Sequence, residues 1–302
     1  MWFWFAIIAL LCWSGSDLFS KIGCKDGDDK LSHLKMVMAV GVVMGLHAAY
    51  EIFIGKTVIN FNIILTYLPV SMLYIVSMAI GYLGLRYIEL SISSPICNSS
   101  GAVVAILTIC IFGIKGYNAY QIAAVALICI GVVMLGVVQM TEDDELRMKR
   151  QEASNTKYAK SFWALAIPVI YCLLDALGTF ADSIVLEKLN EDSANVAYEL
   201  TFLFVGILAA VYVLVIRRDR LVFKSEAPKY LGACFETAGQ FAYIYALSDS
   251  EHVALSAPII SAYCAVSVIW GRIFLKEKLS FKHMVSIALV IVGIVILGIF
   301  DG

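Results

Sequence analysis

The sequence has few charged residues for its length. Of its 302 residues, 15% are charged and 61% are hydrophobic, whereas soluble domains carry about 25% charged and about 45–50% apolar residues. The formal net charge is -2 and the mean hydropathy is +0.86. This composition excludes an ordinary soluble enzyme, a disordered chain and a nucleic-acid-binding protein.

The usual motifs of metal, redox and nucleotide chemistry are also missing. The eight cysteines form no C-x-x-C pair and no alternating Cys/His spacing, so we expect packing thiols and neither a zinc site nor a disulfide framework. The sequence contains no H-E-x-x-H, no P-loop and no nucleophile elbow. We therefore expect no catalytic residues, no metal and no cofactor.

Long apolar runs make up most of the chain. A membrane-spanning helix needs about 20 apolar residues, and these runs favour helices because barrel strands would be about ten residues long with alternating polarity. We predict an all-α integral membrane protein with ten transmembrane helices, at 2–22, 34–54, 64–83, 93–113, 119–139, 162–184, 195–216, 230–248, 254–273 and 283–300.

The two halves of the chain resemble each other. YLGLRYIELSISSP at 82–95 aligns without a gap with YALSDSEHVALSAP at 245–258, and ICIGVVMLG at 128–136 resembles LVIVGIVILG at 289–298. Each half holds an odd number of predicted spans, so the second copy enters the membrane from the opposite side. We predict two inverted five-helix repeats, an architecture typical of secondary transporters. The predicted domains are a first repeat at 1–140, a charged cytoplasmic linker at 141–161 and a second repeat at 162–302.

Lysine and arginine lie mainly on one side of the predicted membrane. All but three of the 22 basic residues belong to the connectors after spans 1, 3, 5, 7 and 9, the exceptions being Lys56, Lys115 and Lys188. Cytoplasmic loops carry the excess of positive charge. The pattern predicts a multi-pass plasma-membrane protein with both termini on the non-cytoplasmic side.

The segment SAPIISAYCAVSVIWGRIFLKEKLSFKHMVSIALVIVGIVILG at 256–298 resembles the drug/metabolite transporter superfamily, in its ten-helix EamA-type branch. The first repeat carries a similar pattern at 93–113, although FGIKGYNAY has no counterpart of Glu277. The resemblance implies a transporter fold. It leaves the substrate open among amino acids, sugars, nucleotides, choline-like cations and drugs.

Acidic residues lie inside the predicted spans without basic residues at similar depth. A charge at the centre of a spanning helix costs about 2.5–3.5 kcal/mol on insertion scales, so such side chains usually face an interior or a wet cavity. We take six of them as candidate substrate- or proton-binding residues: Asp17, Glu51, Asp175, Asp182, Glu199 and Glu236. For Glu51 and Asp182, close to helix ends, hydration at the membrane interface is an equal alternative.

Helical spacing extends this candidate set. Asp175 and Asp182 share one helix face, and Gln240 lies one turn after Glu236. Trp13 lies one turn before Asp17, where its ring and the carboxylate together suit a cation. Further candidates for a central cavity are Asn98, Tyr74, Tyr171 and Tyr243, although helix packing is the simpler explanation for the tyrosines.

An intramembrane carboxyl group can hold either a proton or a cationic substrate. Competition for one site is the minimal mechanism of proton-coupled exchange, and His47 is a candidate relay or a structural residue. We predict a secondary active transporter that moves a small organic cation or zwitterion by alternating access, with protons as coupling ions. The alternatives are a membrane enzyme acting on lipid head groups and a scaffold or sensor.

The expected partners follow from this function. They are a small-molecule substrate and the lipid bilayer, with no nucleic acid. Spans 5 and 10 carry almost no polar residues. We expect them at the periphery or in a homodimer interface.

Overall fold

The structure is a computed structural model whose described residues are 1–24, 29–87, 94, 96–113, 117–140, 162–275 and 279–301. Within these ranges all regular structure is helical and no strand occurs. The all-α prediction is therefore confirmed. The predicted linker 141–161 and Pro95 lie outside the described residues.

The helices follow the predicted spans along the chain. They are α1 (Trp2–Cys24), α2 (Ser32–Tyr50), α3 (Phe61–Tyr87), α4 (Ser100–Phe112), α5 (Ala119–Met140), α6 (Phe162–Leu186), α7 (Glu191–Ala210), α8 (Phe223–Leu247), α9 (Val253–Ser261), α10 (Tyr263–Phe274) and α11 (Phe281–Asp301). Two π-helical turns, Glu51–Gly55 and Val211–Ile216, extend α2 and α7, and a 3-10 turn at Ser250–His252 precedes α9.

Eight helical segments in the described part of the chain are long and apolar enough to cross a membrane. Two predicted spans fall outside this set for different reasons. α4 has only 13 residues, whereas α8 has 25 residues but carries Lys224, Glu226, Lys229 and Glu236. The chain is thus a multi-pass membrane protein, with one short helix and one unusually polar helix.

The helices pair across the two halves in a reciprocal pattern. α1 packs on α8, and α6, the predicted counterpart of α1, packs on α3, the predicted counterpart of α8. α2 packs on α7, α4 on α9 and α5 on α11, and each of these pairs joins the same predicted span of the two halves. Exchanging the halves therefore leaves these pairings unchanged.

Glycines allow the closest of these contacts. A Cβ on Gly131 in α5 would lie 2.7 Å from the Val290 side chain, and one on Gly293 in α11 would lie 2.6 Å from the Ile128 side chain. At the α2–α7 crossing, a Cβ on Gly41 would lie 2.8 Å from the Cα of Gly206. Small residues let membrane helices approach to backbone contact, so these crossings depend on glycine.

The ninth predicted span is broken near its middle. α9 ends at Ser261 and α10 begins at Tyr263, with Ala262 between them. The first half has a turn at 98–99, directly before α4. In the gapless alignment of the two halves Asn98 falls opposite Ser261, so the breaks occupy equivalent positions.

Prolines lie within helices in the second half of the chain. Pro168 lies inside α6. Pro258 lies inside α9, because the 3-10 turn at Ser250–His252 leads into a helix that begins at Val253.

The outer surfaces of α5 and α11 are apolar. Ile130 and Val133 on α5, and Ile291 and Val295 on α11, are exposed although the two helices cover each other on their inner sides. Such faces suit lipid, where apolar side chains need no polar cover.

Candidate functional site

A cavity lies between the two halves, enclosed by α1, α3, α4, α6, α7, α8, α9 and α10. Its volume is about 80 Å³, which is enough for several water molecules. Its wall includes nine of the twelve residues predicted from the sequence: Trp13, Asp17, Tyr74, Asn98, Tyr171, Asp175, Glu236, Gln240 and Tyr243. No lysine or arginine occurs among the described residues that line it.

Asp17 lies where α1 meets both broken helices. Its Oδ2 accepts hydrogen bonds from the hydroxyls of Ser94 at 2.6 Å and Ser267 at 2.9 Å. The two serines come from different halves of the chain. The carboxylate therefore links α1 to both halves while its donors stay electrically neutral.

Asp175 and Glu236 receive hydroxyl donors as well. Ser100, the first residue of α4, donates to Asp175 at 2.7 Å. Ser16 on α1 donates to Glu236 on α8 at 2.7 Å. Three carboxyl groups thus share one cavity whose hydrogen-bond donors carry no positive charge, an arrangement that attracts a cation.

Aromatic rings complete the wall. The Trp13 ring lies 5.0 Å from Tyr243 and 5.8 Å from Tyr263, measured between ring centroids. Gly239 makes room for the indole, because a Cβ there would lie 2.4 Å from the Trp13 ring. Aromatic faces beside carboxylates bind organic cations through cation–π attraction and charge together.

The two helix breaks open onto this cavity. Asn98 at the first break and Ser261 at the second both line it, and the Asn98 amide donates to the backbone oxygen of Ser94 at 2.8 Å. Gly101 lets the two broken helices touch, since a Cβ there would lie 2.3 Å from the Ser261 hydroxyl. Discontinuous helices commonly form midplane binding sites in transporters.

Asp182 lies outside the cavity wall, two turns beyond Asp175 on α6. Its side chain is fully buried and its Oδ1 accepts a hydrogen bond from the Tyr67 hydroxyl at 2.7 Å. Tyr74 and Tyr243, whose hydroxyls bond to each other, lie between it and the cavity.

Glu199 and Glu51 lie in a separate cluster at the α2–α7 contact. The Glu199 carboxylate accepts hydrogen bonds from His47 Nδ1 at 2.8 Å and from the Asn195 amide at 3.1 Å. Glu51 lies 3.9 Å from the other ring nitrogen of His47 and accepts a bond from Thr57 at 3.0 Å. Here the acids have a base beside them, which suits a structural role for His47.

Several cavity residues were not among the predicted set. Ser94, Ser100 and Ser267 bind the carboxylates, and Tyr82 and Tyr263 contribute rings. The motif SISSP around 91–95, with its counterpart LSAP, was visible as a repeat. Its role as a source of carboxylate ligands depends on the crossing of distant helices, which the repeat alone does not reveal.

Comparisons with known proteins concern the family and the fold of the chain. Residues 34–300 match the family model described as the UAA transporter family. An uncharacterized protein of Methanocaldococcus jannaschii is 26% identical over 139 residues, which cover 45% of this chain and 96% of that protein. A solved crystal structure of another protein covers 98% of this chain and 95% of its own, with a TM-score of 0.64 and 11% identity, and so shares the fold.

Proposed function

This chain belongs to the UAA transporter family, and from that premise we propose that it is a secondary active transporter that carries a small organic cation or zwitterion by alternating access. Membership of a transporter family sets aside the enzyme and scaffold alternatives. The observation that carries the substrate class is the cavity, which combines three carboxylates with aromatic rings and has no basic residue among its described lining.

The proposed architecture is a pair of inverted five-helix repeats. The reciprocal helix pairings, the matching contacts of Gly131 and Gly293, and the two helix breaks at equivalent positions support it. The archaeal relative, about half as long as this chain, supports the idea that one repeat is a unit of its own. Two bundles of similar energy can exchange conformations, which is the physical basis of alternating access.

We place the protein in the plasma membrane with both termini outside the cytoplasm, following the distribution of basic residues. One contact supports that orientation. Lys35, after the first connector, lies 3.1 Å from Asp219, which follows α7. The connectors after spans 1 and 7 therefore lie on one side, as the count of lysines and arginines requires.

The cavity chemistry favours cations over phosphorylated anions. A diphosphate, as in a nucleotide sugar, needs arginine, lysine or a metal ion to balance its charge. The cavity offers Asp17, Asp175 and Glu236 instead, each held by serine hydroxyls. A primary or quaternary ammonium group would complement these carboxylates.

Protons are the proposed coupling ions, because a carboxyl group that loses its cationic ligand in a dry site is most stable when it takes up a proton. We also propose that the exposed apolar faces of α5 and α11 contact lipid or a second copy of the chain. Crosslinking between cysteines introduced at Ile130 and Val295 would distinguish these alternatives.

The test combines ligand binding with transport. The apparent Tm of the purified protein is measured in the presence of tetramethylammonium, putrescine, betaine, lysine or UDP-N-acetylglucosamine. Uptake of each compound is then measured in liposomes that contain the protein. We expect at least one amine or zwitterion to raise the apparent Tm and to enter the liposomes, and the nucleotide sugar to do neither. Asp175→Asn should remove both effects, whereas Asp192→Asn, at the outer end of α7, should retain them. Uptake of the nucleotide sugar alone would overturn the proposed substrate class.

A further inference from the structure

Asp182 is a buried acid that the substrate cavity does not use. It lies on α6, two turns from Asp175, and its side chain has no exposed surface. The cavity wall includes Asp175 and Thr179 from the same helix but not Asp182. A role in direct contact with the solute does not explain its presence.

The titratable groups that face Asp182 are tyrosines. Tyr67 and Tyr74 approach it from α3, Tyr243 from α8 and Tyr198 from α7. Among the described residues no lysine, arginine or histidine pairs with it. An ionised carboxylate without a cation is costly to bury, so this setting is stable when the group carries a proton.

The two oxygens of Asp182 have different surroundings. Oδ1 accepts a hydrogen bond from the Tyr67 hydroxyl, with 2.7 Å between the two oxygens. Oδ2 is buried and has no hydrogen-bond partner within the described residues. A proton on Oδ2 would turn it into a donor. The hydroxyl groups of Tyr74 and Tyr243 are its nearest further neighbours, and a hydroxyl oxygen can accept a hydrogen bond as well as donate one.

A short chain of hydroxyl groups lies between this acid and the cavity. The Tyr74 hydroxyl donates to Thr179 at 3.1 Å and bonds to the Tyr243 hydroxyl. All three of these side chains line the cavity. Hydroxyl groups both donate and accept, so the chain can pass a proton between Asp182 and cavity water while the phenol rings keep the solute away.

We propose that Asp182 is a proton-binding site of this protein, separate from the cavity carboxylates and connected to the cavity through Tyr74 and Tyr243. The bound proton converts the carboxylate to a carboxylic acid. Oδ2 then carries the hydroxyl proton, and Oδ1 is the carbonyl oxygen that accepts the hydrogen bond from Tyr67. The inference rests on the proposed function, because a coupled transporter needs a binding site for its coupling ion.

A second tyrosine–aspartate pair provides a matched control. Tyr245 donates to Asp192 at the outer end of the bundle, where the carboxyl is partly exposed and α7 begins nearby. The chemistry of the two pairs is the same, but only Asp182 is fully buried. A difference between Asp182→Asn and Asp192→Asn therefore reports burial and not the loss of an acid as such.

The experiment is infrared spectroscopy of protein in liposomes at pH 5 and at pH 9, with no solute added. We expect carboxylic-acid carbonyl bands at pH 5 that decline at pH 9, one of which is absent in Asp182→Asn and unchanged in Asp192→Asn. Tyr67→Phe should keep the band but shift it to higher wavenumber, because the carbonyl loses its donor. Circular dichroism checks that each variant is folded.

Two outcomes would overturn the proposal. One is an Asp182→Asn spectrum identical to that of the wild type, and the other is a band that does not respond to pH. If Asp182→Asn does not fold, a band that is unshifted in Tyr67→Phe would also overturn the proposal. Since no solute is used, these results stand even if the proposed substrate class fails its own test.

Discussion

The acids of the central cavity and the acids at the α2–α7 contact all lie within predicted spans, but they have different hydrogen-bond partners. Asp17 and Asp175 receive only serine hydroxyls, whereas Glu199 receives a histidine nitrogen and an amide. An acid with neutral donors remains able to attract a cationic ligand. An acid beside a base already has a partner for its charge, and so the comparison separates the acids proposed to bind a ligand from those proposed to be structural.

The largest expected effect comes from removing a cavity charge. Glu236→Gln should raise the Kd of a bound amine about 10- to 100-fold, because a hydrogen bond to a charged group contributes about 1.5–3 kcal/mol. Titration calorimetry on the purified protein measures it. Glu199→Gln, which changes the same residue type outside the cavity, should leave the Kd within about twofold, since about 0.4 kcal/mol corresponds to that factor. An equal loss of affinity in both variants would show that the two groups of acids do not differ in ligand binding.

The next effect tests whether the α2–α7 contact is structural. Gly41→Ala places a methyl group against the backbone of Gly206 and Phe202, and overpacking of this kind costs about 1–3 kcal/mol. Gly45→Ala on the same helix meets only the Leu203 side chain, which can move. We expect a clear fall of the apparent Tm for Gly41→Ala and little change for Gly45→Ala. Similar melting of the two variants would argue against a fixed crossing.

A smaller effect is expected when the base is removed from the second region. His47→Gln leaves the buried Glu199 with weaker donors, at a cost of about 1–2 kcal/mol. Adding Glu199→Gln should recover part of the loss, because the uncompensated acid is then gone. A double-mutant cycle on the apparent Tm measures this coupling. Strict additivity of the two changes would show that the histidine does not stabilise the acid.

The smallest effect is expected at the surface. The hydrogen bond from Lys35 lowers the pKa of the Asp219 carboxyl, which lies beyond α7 and is 36% exposed. A lowered pKa gives stability that is present above the unfolded pKa and is lost as the pH falls below about 4. Asp219→Asn should change the stability by no more than about 0.5 kcal/mol at pH 7, and the difference should shrink as the pH falls below about 4. A larger effect at pH 3 would contradict this sign.

The sequence predicted apolar helices and nine of the residues that line the cavity, because both follow from local patterns. Apolar length predicts a spanning helix, and an acid such as Asp175 in the middle of one predicts an interior position. Glu199 also lies within a predicted span, yet its helix packs on α2, where His47 is the neighbour. Choosing between the two positions requires knowledge of which helices touch.

Helical spacing identified cavity-lining residues one turn apart, but it did not do so for residues two turns apart. Asp175 and Asp182 share a face, as predicted, but only the first lines the cavity. The tyrosine pair Tyr74 and Tyr243 intervenes from two other helices. The break at Ala262 was equally invisible, since the segment 254–273 has the composition of a continuous helix.

The interruption of the ninth span has an electrical consequence. α9 has nine residues and reaches about 14 Å at 1.5 Å per residue, roughly half of the 30 Å hydrocarbon thickness. In the proposed transporter, a charged solute at the break would have crossed about half of the membrane voltage, worth roughly 1.1 kcal/mol per elementary charge at 100 mV. Under such a voltage, loading and release of a cation would each bear part of the electrical work, so turnover would respond to the membrane potential at both steps.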